Sequence, residues 1–236
     1  MKTFNIFLYE IYHFRKNLSK VITYCIFLFA CIYSIYSGFD LQNKQQETIA
    51  SIENEKKQEL LLVSNFFHKL NRLPNALDVL GYIPTYGTKK PSLLMPLGIG
   101  QAEQYGYYKE ITNWSSTYDN DMVEELANPE RLVNGNIDFS FIIIFLLPIL
   151  LIIFTYNIRG LEQDFKFEKL IEIQYGSIAK WVLMRFIFYI LLLIITVVLF
   201  IILVPSINNS LSIYWSELKS LIMIVIGYIM FFSSIF

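Results

Sequence analysis

Four long stretches of the chain contain no charged residue, and their length limits the folds available to it. They are residues 21–39, 139–158, 186–216 and 220–236. A helix needs about 20 apolar residues to cross the hydrocarbon core of a bilayer. With 55% hydrophobic residues over 236 positions, the chain is also far more apolar than an ordinary soluble domain. We therefore predict a mainly α membrane protein with about four transmembrane helices, the fourth incomplete, and not a soluble fold with buried helices.

The distribution of charge predicts how these helices are oriented. The segment before the first span has four basic residues and one acidic residue, and the segment 159–185 has five basic and four acidic residues. Residues 40–138 are acidic instead, with nine basic and 14 acidic side chains. Short basic connections favour the cytoplasmic side. We expect the N-terminus and the 159–180 loop in the cytoplasm and residues 40–138 outside.

The N-terminal segment has the spacing of an amphipathic helix over residues 2–17. Its predicted apolar face is formed by Phe4, Phe7, Leu8, Ile11 and Phe14. Such a helix with basic neighbours, placed just before a span, is typical of the membrane interface. We favour this interpretation over a frayed cytoplasmic tail, because the apolar face is wide.

Between the first two spans, residues 41–73 have a helical pattern, which would extend the first span as a stalk. Glycines, prolines and tyrosines then alternate up to residue 108, which is typical of short elements and turns. A further helix is predicted over 121–132 and a turn over 134–136. Together these features predict an extracytoplasmic α+β domain.

The predicted organisation has eight segments. They are an interfacial elbow helix (1–18), span 1 (19–39), the extracytoplasmic domain (40–138), span 2 (139–158), a cytoplasmic coupling loop (159–180), span 3 (181–204, ending at Pro205), an outer loop (205–218) and an incomplete span 4 (219–236). Pro148 is expected to kink span 2, because proline removes a backbone hydrogen bond.

Residue types that support catalysis are scarce. The two histidines, His13 and His68, fall on opposite sides of the predicted membrane, and no P-loop pattern GxxxxGK[ST] occurs. Cys25 and Cys31 lie on different faces of one helix, which disfavours a disulfide. The long apolar runs hold no charge, which disfavours a proton-coupled pump. We expect no enzymatic activity, no metal or cofactor, and no nucleic-acid partner.

The segment NIRGLEQDFKFEKLIEIQYGSIAKW, residues 157–181, alternates apolar and charged residues between two predicted spans. Gly176-Ser177 would interrupt it before the next helix. We predict one or two short helices along the inner face of the membrane. By its pattern alone this segment could equally be a solvated connector.

Motifs along most of the chain resemble the permease subunits of ABC transporters of the second exporter type, in the subgroup with a large extracytoplasmic segment after the first span. Residues 97–101 with Tyr107-Tyr108 resemble its "LGQ…PYY" segment, and residues 128–139 (NPERLVNGNIDF) resemble "NPLRLLAGxFDxxF". Leu147-Pro148 with Thr155-Tyr156 resembles "YLLPLLxxxLTYD". Residues 162–177 are similar to its acidic "ExExGTLxLLLSQPVS" loop. The glycine of that loop is replaced around Lys166, and its proline by Tyr175.

The resemblance implies a function and partners. It implies a permease in a bacterial inner membrane that works with a cytoplasmic ABC ATPase, which binds the ATP, and with a second permease subunit, in contact with membrane lipid. The residues that would couple to the ATPase are Glu162, Asp164, Phe165, Lys166, Phe167 and Glu168. Because such permeases usually have six spans, the chain is expected to be truncated after its fourth span, as a fragment, a truncated gene product or half of a split permease.

A second hypothesis stays open. The chain would then be a membrane-anchored protein whose segment 40–138 binds an envelope partner without any transport activity. The C-terminal spans that such permeases have and this chain lacks favour this alternative somewhat, whereas the motifs favour the permease.

Overall fold

The computed structural model describes residues 2–71, 73, 75, 85–100, 107–111, 137–208 and 212–235. The chain divides into two compact units, one of residues Met1–Ile35 with Phe139–Phe236 and the other of Tyr36–Asp138. The helices are α1 (Lys2–Lys16), α2 (Leu18–Lys69), α3 (Phe139–Thr155), α4 (Gly160–Asp164), α5 (Glu168–Tyr175), α6 (Ile178–Ile207) and α7 (Trp215–Ile235). The predicted mainly helical architecture is confirmed for the described residues.

Three of the helices in this part of the chain, α2, α6 and α7, are long and apolar enough to cross a membrane. Helix α3, in the region of the predicted span 2, is a shorter apolar helix that ends at Thr155. Helix α7, in the region of the predicted span 4, begins at Trp215 and has 21 residues. Pro205 does not end α6, which continues to Ile207. The membrane and the sidedness stay predictions.

Asn17 is the single residue between α1 and α2. The side-chain oxygen of Asn17 accepts a hydrogen bond from the backbone N–H of Lys20 at 3.3 Å. This is the usual geometry of an N-cap, in which a short polar side chain binds one of the free N–H groups in the first helical turn. The cap allows α2 to begin directly after α1. From there α2 runs for 52 residues without interruption, which confirms the predicted helical extension beyond the first span.

Helix α6 lies at the centre of the first unit, where it packs against α1, α3, α5 and α7. Its residues Leu193, Val197 and Ile201 are completely buried, as are Leu147 and Leu151 of α3, against which α6 packs. In lipid the association of such helices depends on close packing and on hydrogen bonds between them, because the surrounding hydrocarbon is as apolar as the side chains. The polar contacts of α6 therefore carry particular weight.

Helix α3 is irregular around Pro148. It contains a π-helical segment, Ile142–Leu146, directly before the α-helical part Leu147–Thr155. Pro148 has no N–H and cannot bond to the carbonyl of Ile144, four residues earlier. The hydroxyl of Tyr228 in α7 donates a hydrogen bond to that carbonyl at 2.6 Å. A side chain from a neighbouring helix thus occupies the acceptor that proline leaves without its helical donor.

We predict that Tyr228→Phe lowers the free energy of unfolding by about 0.5–1.5 kcal/mol, because it removes this bond and retains the ring. The measurement is denaturant titration of the purified protein in mixed micelles. Tyr33→Phe is the matched control, since Tyr33 is 66% exposed on α2. Equal effects of the two substitutions would show that the Tyr228 bond does not hold α7 to α3.

The second unit contains part of α2, a two-stranded antiparallel sheet of β1 (Thr85–Thr88) and β2 (Tyr108–Ile111), and a 3₁₀ turn at Met95–Leu97. Gly38 of α2 lies so close to this turn that an added Cβ would come within 2.6 Å of the Pro96 Cα. The helix predicted over 121–132, the turn over 134–136 and most of the motif at 128–139 lie outside the described residues. The extracytoplasmic α+β domain is therefore still a prediction.

Candidate functional site

The most unusual feature of the first unit is a buried cluster of charges from three separate segments. Glu10 of α1, Glu162 of α4 and Arg185 of α6 are 0%, 5% and 1% exposed. The guanidinium of Arg185 donates to both carboxylates, through Nε to Glu10 Oε2 and through Nη1 to Glu162 Oε1. Its Nη2 also lies 3.5 Å from Glu10 Oε1. One arginine thus links α1 and α4 to the central helix, an arrangement that its planar set of donors suits.

Helical spacing in α1 places Glu10 inside this cluster. Ile6, Glu10 and Phe14 follow one another at intervals of four residues and are all buried. Leu8 and Ile11 of the predicted apolar face are 50% and 43% exposed, and the placement of this face in a membrane interface stays a prediction. The buried face therefore includes Glu10, which binds Arg185 of α6. The exposed side chains of Leu8 and Ile11 are therefore available for contact with another apolar environment.

Two further side chains extend the cluster to α2 and α3. The hydroxyl of Tyr189 donates to Glu10 and accepts a hydrogen bond from Lys20 Nζ at 2.9 Å. The same ammonium group donates to the carbonyl of Phe154 at 2.7 Å. We name Glu10, Glu162, Arg185, Tyr189 and Lys20 the ion network. It joins α1, α2, α3, α4 and α6 within the first unit.

The segment between α3 and α6 packs against the ion network on one side. The indole N–H of Trp181 donates to Glu162 Oε1 at 3.3 Å. Ile171 of α5 lies in a small apolar cluster with Ile6 and Trp181. Helix α5 ends at Gly176, whose φ of 85° is the left-handed conformation that glycine adopts at little cost. The prediction of one or two short helices and of a break at Gly176-Ser177 is confirmed, while their position along a membrane stays a prediction.

Electrostatics within the network favour the charged form of Glu10. Burial alone would raise the pKa of this carboxyl group. His13, whose Nδ1 lies 3.6 Å from Oε1, together with Arg185 and Tyr189, outweighs burial and lowers the pKa to about 2. Burial raises the pKa of the neighbouring Tyr9, while Arg185 opposes that effect. Glu10 therefore stays ionised over the whole physiological range.

The residues predicted to couple to an ATPase differ in their exposure. Asp164, Phe165, Lys166 and Phe167 are exposed. Glu168 forms an ion pair with Arg159, with 2.6 Å between Oε1 and Nη2. Glu162 is different, because it is buried and bound to Arg185. Five of the six predicted residues are thus accessible at least in part, whereas Glu162 faces the interior.

A groove of about 480 Å³ lies beside Glu162 on the surface of this segment. Most of its lining is apolar or aromatic, with Phe165 and Phe167 on one side and Trp181, Tyr9 and Tyr175 among the others. The rings of Phe165 and Phe167 stack with 5.8 Å between their centroids. Of the two oxygens of Glu162, Oε2 is buried and has no hydrogen-bond partner among the described residues.

Sequence reasoning missed four residues of the ion network, two of which lie directly before the charge-free runs, at the ends of predicted spans. Arg185 lies within the predicted span 3, and Lys20 within the predicted span 1, yet both are buried. A signal was present in the sequence. Glu10 interrupts an apolar face, Arg185 follows Trp181 at the start of an apolar helix, and buried opposite charges require each other.

Among the residues that the structure describes, no group of three histidine, cysteine, aspartate or glutamate side chains could hold a metal ion. Comparison with protein-family models, with curated proteins and with solved structures gave no match. The resemblance to ABC permeases therefore depends on the sequence motifs alone.

Proposed function

We propose that this chain is a membrane-embedded permease subunit of an ATP-driven exporter complex, and that residues 159–177 transmit the motion of a separate cytoplasmic ATPase. The observation that carries the proposal is the two-sided character of this segment. The side that faces away from the other helices exposes Phe165, Phe167 and Ile173, which are 64%, 53% and 83% exposed. Its inner side is bound to α6 and α1 through Glu162 and Arg185.

Exposed aromatic side chains on a short, well-packed element are typical of a protein docking site. A force applied to α4 or α5 would reach α6 through the Glu162–Arg185 ion pair and α1 through Arg185–Glu10. Because α6 packs against α3 and α7, a displacement of α6 would change the packing of the apolar helices. The segment would thus transmit movement of the ATPase to the apolar helices that we expect in the membrane.

The backbone at Lys166 gives local support to the resemblance. Lys166 has a φ of 56°, in the left-handed region that glycine adopts more easily than other residues. The acidic loop of the permeases that this chain resembles has a glycine around this position. The chain therefore keeps, with a lysine, the backbone conformation that a glycine favours there.

The test is the capture of a P-loop ATPase from native membranes. The full chain is affinity-purified after mild cross-linking, and a partner is identified by mass spectrometry and by labelling with a photoreactive ATP analogue. We expect Phe165→Ala with Phe167→Ala to reduce recovery of the ATPase at least tenfold, because both exposed rings are lost. Phe231→Ala is the matched control, since Phe231 is 63% exposed on α7.

Two results would contradict the proposal. One is the absence of any ATP-labelled partner, and the other is equal recovery with the double variant and with the control. Stable binding of an envelope protein that maps to residues 40–138, without an ATPase, would favour the alternative of a membrane-anchored interaction protein.

A further inference from the structure

We propose that the groove beside Glu162 binds a basic side chain, an arginine or a lysine, from the cytoplasmic protein that docks on residues 159–177. This inference rests on the proposed function and adds the chemistry of the contact. The groove combines an aromatic lining with a buried carboxylate oxygen, Oε2 of Glu162, that has no partner among the described residues. A cation satisfies both features.

The unpaired oxygen is the first reason. Glu162 is 95% buried, and Oε1 already accepts hydrogen bonds from Arg185 and Trp181. A carboxylate has two acceptor oxygens, and leaving one buried without a partner is unfavourable. A guanidinium or ammonium group entering the groove would supply the missing donor and a positive charge.

The balance of charge is the second reason. The three ions in direct contact are two carboxylates, Glu10 and Glu162, and one guanidinium, Arg185. Lys20 binds the hydroxyl of Tyr189 and the carbonyl of Phe154, not either carboxylate, through the hydrogen bonds that the structure describes. The network as a whole is neutral because it contains Lys20, but Glu162 shares its one guanidinium with Glu10, and a second cation in the groove would pair with Glu162 directly.

The aromatic lining is the third reason. Faces of aromatic rings attract cations through their quadrupole, and arginine does this most often. An example lies next to the groove, because the Cζ of Arg185 lies 5.7 Å from the centroid of the ring of Tyr9, which lines it. Phe165, Phe167 and Trp181 provide further rings, and Phe165 and Phe167 are exposed to an incoming side chain.

The surroundings favour a protein and not a lipid headgroup as the source of the cation. Asp164, Lys166, Lys169 and Glu172, which neighbour the groove-lining residues along the chain, are all exposed. Such a mixed-charge surface suits an aqueous protein contact, in which polar side chains surround an aromatic and ionic centre.

The experiment uses the purified full chain in mixed micelles with Trp114→Phe and Trp215→Phe, so that Trp181 is the single fluorescent tryptophan. The probes are the peptide Ac-Gly-Ala-Arg-Ala-Gly-NH₂, its lysine form and its citrulline form, which keeps the shape of arginine without the charge. We expect Trp181 fluorescence to change with the arginine or lysine peptide at millimolar concentrations, with at least tenfold weaker binding of the citrulline peptide.

Two variants locate the binding site. Glu162→Gln should weaken binding of the cationic peptides at least tenfold, and Phe165→Ala should weaken it about threefold or more without affecting folding, because Phe165 is 64% exposed. Binding that is equal for arginine and citrulline, or unchanged in both variants, overturns the inference. Tighter binding of phosphocholine than of either cationic peptide would identify a lipid headgroup and overturn it as well.

The result is separate from the test of the proposed function. Capture of an ATPase without binding of the cationic peptides would leave the proposed function in place and refute this inference. Binding of the peptides without an ATPase would support the chemistry of the groove and refute the class of partner.

Discussion

Replacing Arg185 with alanine is expected to lower the free energy of unfolding by about 3–5 kcal/mol, the largest effect of any single substitution considered for this protein. Arg185 is 1% exposed and is paired with two carboxylates that are themselves buried. Its removal would leave Glu10 and Glu162 facing each other inside the first unit without a cation between them. The cost comes mainly from these two stranded charges and less from the lost packing.

The measurement is denaturant titration in mixed micelles, followed by the helical signal in circular dichroism. Arg159→Ala is the matched control, because Arg159 forms an exposed ion pair with Glu168 and such pairs are worth less than about 1 kcal/mol. Arg185→Lys should lie between the two, since an ammonium group keeps the charge but cannot bind both carboxylates with the same geometry.

A second comparison separates charge from packing. In a background with Glu10→Gln and Glu162→Gln, Arg185→Met should cost much less than it does alone, because no buried carboxylate is then left without a partner. If Arg185→Ala proved as mild as Arg159→Ala, the three ions would not be paired in the folded protein. The proposed connection between α4 and α6 would then also lack its basis.

The parts of the fold that the sequence could predict are those that depend on local patterns of residues. The length and composition of the apolar runs predicted helices at α2, α6 and α7, because these depend only on neighbouring residues. The predicted ends of the helices were less accurate. Pro205 was expected to end α6, yet a proline in the last turn loses a single bond and the helix continues to Ile207.

The irregular form of α3 could not be predicted from its own residues. Pro148 indicated a kink, but the π-helical segment before it coincides with the hydrogen bond from Tyr228, which lies 84 positions away from Ile144. The same limit applies to the ion network. Glu10 and Arg185 are 175 positions apart, and only the folded chain brings α1 against α6.

Sequence therefore predicted only the exposed residues of the candidate site. The exposed residues Asp164, Phe165, Lys166 and Phe167 follow from the local pattern of residues 157–181. The burial of Glu162 does not, because whether one carboxylate in an alternating segment faces inward depends on a partner cation elsewhere in the chain. Arg185 fulfils that role.

Acid should destabilise the protein through Glu10 in a defined range of pH. The pKa of this carboxyl is about 2 in the folded protein, compared with an ordinary value of 4.5. When folding lowers the pKa of a group, the group stabilises the folded state fully at any pH above its pKa in the unfolded state. This contribution is lost as the pH falls toward its pKa in the folded state. We therefore expect the contribution of Glu10 to be constant above about pH 5 and to disappear progressively between about pH 4.5 and pH 2.

Glu10→Gln isolates this contribution from that of the other carboxylates. The variant should be less stable at pH 7, because Arg185 and Tyr189 each lose a charged acceptor, and its stability should change less than that of the native chain between pH 4.5 and pH 2. Glu172→Gln is the matched control, since Glu172 is exposed on α5. The measurement is the midpoint of denaturant unfolding in mixed micelles at half-unit steps of pH. Parallel curves for the native chain and Glu10→Gln over this range would mean that Glu10 is not held ionised by Arg185, because a carboxylate stabilised by that guanidinium must resist protonation.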